Sequence, residues 1–251
     1  MILSTQTSTD YVSQIDLTVT TREFGGIFLG DPVNFLHLRR EQLIREQFVD
    51  RFTLTNFVTH PIDFWLEIRF AADFADVFEI RGMRRSRRGT YFAPEVGSDT
   101  VVYRYRGLDG RIYRSEVVFS GALERLEVGR ARWRLQLEPN ASAALEMRVS
   151  ARIDDEGPVA PVPFAEQVAA NREEFRRWRA ACTSFSTSDE VFDLALAQAV
   201  ADLRALQSER GGEPVLAAGI PWYTCPFGRD TLLTAYEALP VAPHLARDAL
   251  V

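Results

Sequence analysis

Between residues 11 and 150 the chain repeats one device: short stretches of alternating apolar and polar residues, each closed by a turn signal. Tyr11, Ile15, Leu17 and Val19 begin the series. EQFVDRFTLTNFVTH (46–60) carries it through Phe48, Phe52, Leu54 and Val58, and DFWLEIRFAADF puts Phe64, Leu66, Ile68 and Phe70 on one face. Successive side chains of a strand point to opposite faces, so a period of two marks a half-buried strand. VVYRYRG, RIYRSEVVFSG, ARWRLQLEP and AALEMRVSARI follow, punctuated by Asp109-Gly110 and Pro139-Asn140. Strands without intervening helices bury their apolar faces by antiparallel pairing and sheet-on-sheet packing. The pattern predicts a mainly β domain over 1–157, an antiparallel sandwich, with a single barrel as the alternative.

The period changes at EGPVAPVPF, a proline-rich connector that marks a boundary near Pro158. Residues 158–186 read as a linker with a helix, in which Val168, Phe175 and Trp178 form one apolar edge among charges. From 187 the pattern is helical: Phe192, Leu196, Ala199, Leu203 and Leu206 recur at helical spacing, and Thr187 with Glu190 has the form of a capping box. GGEPVLAAGIPWYTCPFG then reads as a loop, followed by a helix from about Asp230, a break at Pro240 and a helix from near Pro243. So few helices cannot cover their own apolar faces, and the run reads as the opening of a helical domain.

Of the 251 residues, 46 % are hydrophobic and 25 % charged, enough for a sizeable core. A net charge of −6 argues against a general nucleic-acid binder. All 29 basic residues other than histidine are arginine. No apolar run is long enough to span a bilayer, and MILSTQTSTDYVSQ lacks the charged start and apolar block of a secretory signal. Cys182 and Cys225 lie far apart, without metal or redox spacing, so the expected setting is reducing and cytoplasmic, with no metal.

The stretch richest in chemistry is GIPWYTCPFGRDTLLTAYEAL (219–239). One reading is structural: Gly228 turns the chain, Asp230 caps the next helix, and Trp222 and Phe227 enter the core. The other is functional. Trp222 and Tyr223 offer flat faces with polar rims, Arg229 a planar fork of donors and Asp230 an acceptor for paired hydroxyls, which together suit a pyranose. Elsewhere RGMRRSRRG (81–89) reads as a solvated turn in an acidic protein. Cys225 as a nucleophile would need a positioned base, and His244 is distant in sequence. His37 and His60 read as satisfied histidines, and Glu190, Asp193 and Glu237 as solvated helix charges.

AAGIPWYTCPFGRDTLLTAYEAL resembles the AGxPWFxxxFGRDxLxTAxxxL segment of bacterial glycogen-debranching, amylo-α-1,6-glucosidase-like proteins. FAADFADVFEIRGMRRSRRG is similar to the ADFADLFEVRG stretch of the same proteins, upstream and in the same order. The resemblance implies an N-terminal β-supersandwich followed, over 187–251, by the first helices of an (α/α)6 barrel. It also implies action on branched α-glucans without a cofactor. By the match, Arg229 and Asp230 hold a terminal glucose while Trp222, Tyr223 and Phe227 shape the wall; Tyr223 stands where the family often has Phe. Such hydrolases cleave with two carboxylates, which the resemblance places downstream of residue 251. The chain alone is therefore expected to bind but not to cut, with no catalytic residue of its own. Two alternatives stand beside this: a carbohydrate-binding or interaction module whose exposed helix faces dock on a catalytic chain or on a second copy, and part of a disaccharide phosphorylase-like enzyme.

Overall fold

A computed structural model describes residues 1–7, 11–20, 34–154, 156, 157, 159–210 and 213–249. They form two compact units, Met1–Val168 and Ala169–Val251. Pro158, where the composition shift places the boundary, lies outside the described residues.

The alternating stretches of the first unit are strands. β1 (Ile2–Thr7), β2 (Ser13–Thr20), β3 (Asn34–Ile44), β4 (Phe48–Asn56), β12 (Ser142–Ile153), β9 (Ile112–Phe119), β8 (Thr100–Arg106) and β6 (Thr90–Tyr91) lie side by side in that order. β7 (Glu95–Val96) also pairs with β8. A second sheet runs β10 (Arg125–Glu127), β11 (Arg130–Leu137), β5 (Ile62–Arg69). All pairs are antiparallel.

One core cluster joins the two sheets. Phe52, Leu54, Val101, Val117, Phe119 and Leu145 of the large sheet pack with Ile62, Phe64, Ala131, Trp133 and Leu137 of the small one. In β5, Ile62 and Phe64 are buried while Asp63 and Trp65 face outward, the period of two made structural. Trp133 is the largest fully buried side chain; its Nε1–H donates to the Ser120 carbonyl at 3.0 Å, and its ring meets Phe119 edge-on. A buried indole without that partner would carry the cost of an unmade hydrogen bond.

Polar staples close the sandwich. Asn56 is fully buried; its Nδ2 donates to the carbonyls of His60, Leu137 and Glu138, and its Oδ1 accepts from Val58 N–H at 2.9 Å. Asp50, equally buried, is gripped by both Nε and Nη2 of Arg40. The β8–β9 turn is built on Gly110, at φ +83°, where a side chain would be strained. The β11–β12 turn uses Asn140 at φ +59°.

A short helix, α1 (Val77–Ile80), follows β5. Asp76 caps it by accepting from Phe78 and Glu79 N–H, while Glu79 reaches back to Asp76 N–H. After residues 159–163, which have no regular structure, α2 (Phe164–Ala180) begins by seating Phe164 against Val12, Leu43 and Val49.

In the second unit, α3 (Glu190–Ala205) is capped by Asp189, which accepts from Val191 and Phe192 N–H. This corrects the Thr187–Glu190 box. Thr187 stands two residues ahead of the cap, and its N–H donates to the Asp193 carboxylate at 3.0 and 3.1 Å. The expected loop is instead a small antiparallel sheet of β13 (Gln207–Arg210), β14 (Glu213–Gly219) and β15 (Tyr223–Pro226). α4 (Gly228–Glu237) and α5 (Pro243–Asp248) complete the described elements. Leu216, Ala238, Ala242 and Leu245 form their core. The chain is thus a β-domain followed by the helical segment that the sequence predicts.

Candidate functional site

The stretch 219–239 is a strand hairpin feeding a helix. β14 and β15 pair through Ala217 opposite Pro226 and Gly219 opposite Tyr223. The connection contains a cis Ile220–Pro221 peptide. Leu216 and Ala217 of β14 are buried, which anchors the hairpin from beneath. Thr231, in the first turn of α4, donates its hydroxyl to the Leu216 carbonyl at 3.1 Å. The helix mouth is therefore fixed to the ladder that presents Tyr223.

The structural reading of this stretch is corrected at two points. Phe227 is the N-terminal boundary residue of α4, and no side chain caps the helix. Asp230 lies inside the first turn, where its charge still meets the positive end of the helix dipole. Nor are Trp222 and Phe227 core: they are 44 % and 53 % exposed, and Tyr223 is 56 % exposed. Arg229 extends over the Phe227 ring at 5.7 Å, and its Nη2 stands 4.0 Å from Asp230 Oδ2. Phe227, the guanidinium and the carboxylate thus share one exposed junction, and Trp222 and Tyr223 are exposed on the hairpin that leads into it. Chemically it offers ring faces, a fork of donors and an acceptor, and no paired carboxylates for acid–base work.

Of the remaining candidates, His244, His37 and Cys182 are engaged with neighbouring protein groups. His244 packs edge-on against Trp178, 5.6 Å between ring centroids, and burial lowers its pKa. His37 hydrogen-bonds Asp16 through Nε2 at 2.9 Å. Cys182 is half-buried, with its thiol pKa raised by burial, and Cys225 is exposed. Among the described residues no group of His, Cys, Asp and Glu could hold a metal ion. In the 81–89 stretch, Arg85 pairs with Asp76 and Arg88 with Glu79. These arginines fold back on the acidic cap of α1. Sequence reasoning missed that cap and the stacking of Phe74 on Tyr105 behind it; the available signal was Asp76 with Glu79 three residues later.

A profile describing the N-terminal domain of some glycogen debranching enzymes matches residues 1–148. The chain belongs to this family. The matched range covers most of the first unit, so the debranching-enzyme domain is the β-sandwich, and the 219–239 junction lies beyond it. No curated protein matches the chain. Among solved structures, a human-microbiome protein named as a kojibiose phosphorylase superposes with a TM-score of 0.65 at 13 % identity, over 96 % of this chain and 34 % of that one. The present chain therefore spans about a third of that neighbour's length. A protein from Synechocystis sp. PCC 6803 aligns at 10 % identity over 60 % of this chain and 65 % of that one, with a TM-score of 0.37. The phosphorylase comparison supports the fold: a debranching-enzyme-type β-domain leading into helices. Among the described residues no helix is long and apolar enough to cross a membrane.

Proposed function

We propose that this chain is the sugar-holding N-terminal portion of an amylo-α-1,6-glucosidase-like glycoside hydrolase acting on branched α-glucans. In this reading Arg229 and Asp230 grip a terminal glucosyl residue, while Trp222, Tyr223 and Phe227 wall it. The observation that carries the reading is the exposed junction of β15 and α4. There exposed Trp222, Tyr223 and Phe227 lead directly into the Arg229–Asp230 pair, on a hairpin that Thr231 ties to the helix. Membership of the debranching-enzyme domain family supports the α-glucan as substrate class.

The residues of the junction bind and orient. A guanidinium donates to two adjacent hydroxyls at once, and a carboxylate accepts from a third. Ring faces exclude water from the apolar side of the pyranose. Cleavage needs two carboxylates placed across the scissile bond, and the proposal assigns neither role to residues 219–239. Binding without cleavage is the activity proposed for this chain. Its test is calorimetric titration with maltotetraose: Arg229→Ala and Asp230→Asn should each weaken binding by roughly tenfold. Unchanged affinity in both variants would sink the proposal. A fold does not select a reaction, so phosphate dependence of glucose release by the full enzyme separates hydrolysis from phosphorolysis.

A further inference from the structure

The first unit contains a cleft that the function above does not use. It has a volume of about 590 Å³ and is lined by Phe74, Asp76, Glu79, Arg85, Tyr105, Leu108, Asp109 and Tyr113, with Ala75 and Gly107 between them. That volume lies within the range of small-molecule sites, about 300–1,000 Å³.

Three groups of residues line it. Phe74, held at φ +48°, stacks on Tyr105, with ring centroids 5.3 Å apart and planes at 13°. Tyr105 in turn packs against Tyr113 and is fixed by accepting a 2.6 Å hydrogen bond from Gly89 N–H. The β8–β9 turn contributes Leu108 and Asp109. Asp109 Oδ2 accepts from the Tyr113 hydroxyl at 2.7 Å and Oδ1 from Arg111 N–H at 3.1 Å. The capping box of α1 fixes Asp76 and Glu79, and Arg85 pairs with Asp76. Every polar group of the cleft is therefore held in place by protein before any ligand arrives, which lowers the ordering cost of binding.

We propose that this cleft is a second saccharide-binding site, taking a segment of a neutral α-gluco-oligosaccharide. Its chemistry selects among ligand classes. Arg85 is paired with Asp76 and Arg88 with Glu79, so both guanidinium groups at the cleft are already matched by carboxylates and offer a phosphate little attraction. The acidic side chains do not form a metal cluster among the described residues. Fixed carboxylates with spare lone pairs accept from hydroxyls, and aromatic edges and Leu108 cover the apolar face of a sugar ring. That the cleft takes a sugar follows from its own lining. That the sugar is an α-glucan rests on the function proposed above.

The test uses the full chain carrying Arg229→Ala, which weakens the junction roughly tenfold and leaves the cleft intact. Calorimetric titration of this variant with maltotetraose should still show binding. Adding Asp109→Ala, or separately Leu108→Arg, should weaken it by about tenfold or more. Both side chains are at the surface, and a thermal melt of each variant verifies that it folds. Absence of binding in the Arg229→Ala chain, or affinity untouched by both cleft substitutions, overturns the cleft proposal. Cellotetraose binding as tightly as maltotetraose overturns the α-linkage. Failure of the junction reading has a separate signature: Arg229→Ala by itself leaves the total affinity of the unmodified chain unchanged.

Discussion

Arg229 Nη2 and Asp230 Oδ2 lie 4.0 Å apart, close enough to attract and too far for a direct hydrogen bond. Their side chains are 74 % and 40 % exposed, so the attraction adds little stability. What the spacing preserves is bonding capacity, because neither group spends its donors or acceptors on the other. Lysine keeps the charge and loses the planar fork. Arg229→Lys should therefore bind maltotetraose several-fold more weakly than the native chain, and Arg229→Ala roughly tenfold more weakly. The thermal midpoint should barely move in either. Equal affinity across the three proteins would show that the guanidinium does not touch the sugar.

Gly89 sits where backbone meets backbone. A Cβ there would stand 1.9 Å from the Arg106 carbonyl oxygen and 2.9 Å from Tyr105 Cζ. Neither neighbour is the free end of a flexible chain, so Gly89→Ala must push β6 off β8. We expect a loss of about 1–3 kcal/mol in urea unfolding, the usual cost of overpacking. Amide exchange should quicken at Phe92, whose N–H donates to Arg104.

Asn56→Ala removes one side chain and leaves two buried backbone groups, the Leu137 carbonyl and the Val58 N–H, without its amide; the part-buried carbonyls of His60 and Glu138 lose a donor too, though Glu138 keeps Ala141 N–H. Each unsatisfied buried group costs about 1–3 kcal/mol. With partial relaxation the total should be about 3 kcal/mol or more. It would appear as a lower urea midpoint with an unchanged slope. A neutral result would mean that the turn closes without the amide.

Asp16 carries the clearest pH dependence. Hydrogen bonding from Gln14, aided by Arg39 and Ser4 and opposed by burial, lowers its carboxyl from 3.8 to about 2. A folded pKa below the unfolded one stabilises the fold above the unfolded value. That contribution is complete above pH 4 and drains away as the pH falls from about 4 toward about 2. Asp16→Asn should lower the urea midpoint at neutral pH and flatten its decline over that interval. Parallel declines in the two proteins would assign the acid limb to other groups.

The strands were legible because a period of two assigns each residue to a face before any neighbour is known. Phe64 in and Trp65 out follow directly from it. The buried carboxylates were not legible: Asp16 and Asp50 occupy polar positions that look solvated, and their burial is explained by partners brought up by the fold, Arg39 with Gln14, Ser4 and His37 at Asp16 and Arg40 at Asp50. The β13–β15 sheet was hidden because Gly219, Pro221 and Pro226 lower strand propensity and punctuate what is a ladder. At α3, Thr187 and Asp189 both have N-cap chemistry, and Asp193 rather than Glu190 answers Thr187, a choice that geometry makes. The residues of 219–239 stand together in the sequence because they are contiguous, but the strand ladder beneath them and the exposure of Trp222 and Phe227 do not show there. The cleft could not be read from sequence, since Phe74, Tyr105 and Tyr113 meet only through the pairing of β8 and β9 and the fold-back of the 70s segment.

Two two-residue strands share the outer side of β8: β6 pairs with its C-terminal end and β7 with its start. A full-length strand there would offer a continuous row of free amides and carbonyls to any extended chain that drifted past. Broken into two short steps, the margin gives an intruding strand no register to zip along. The sheet thereby guards itself against growing into a polymer on the flank next to its cleft.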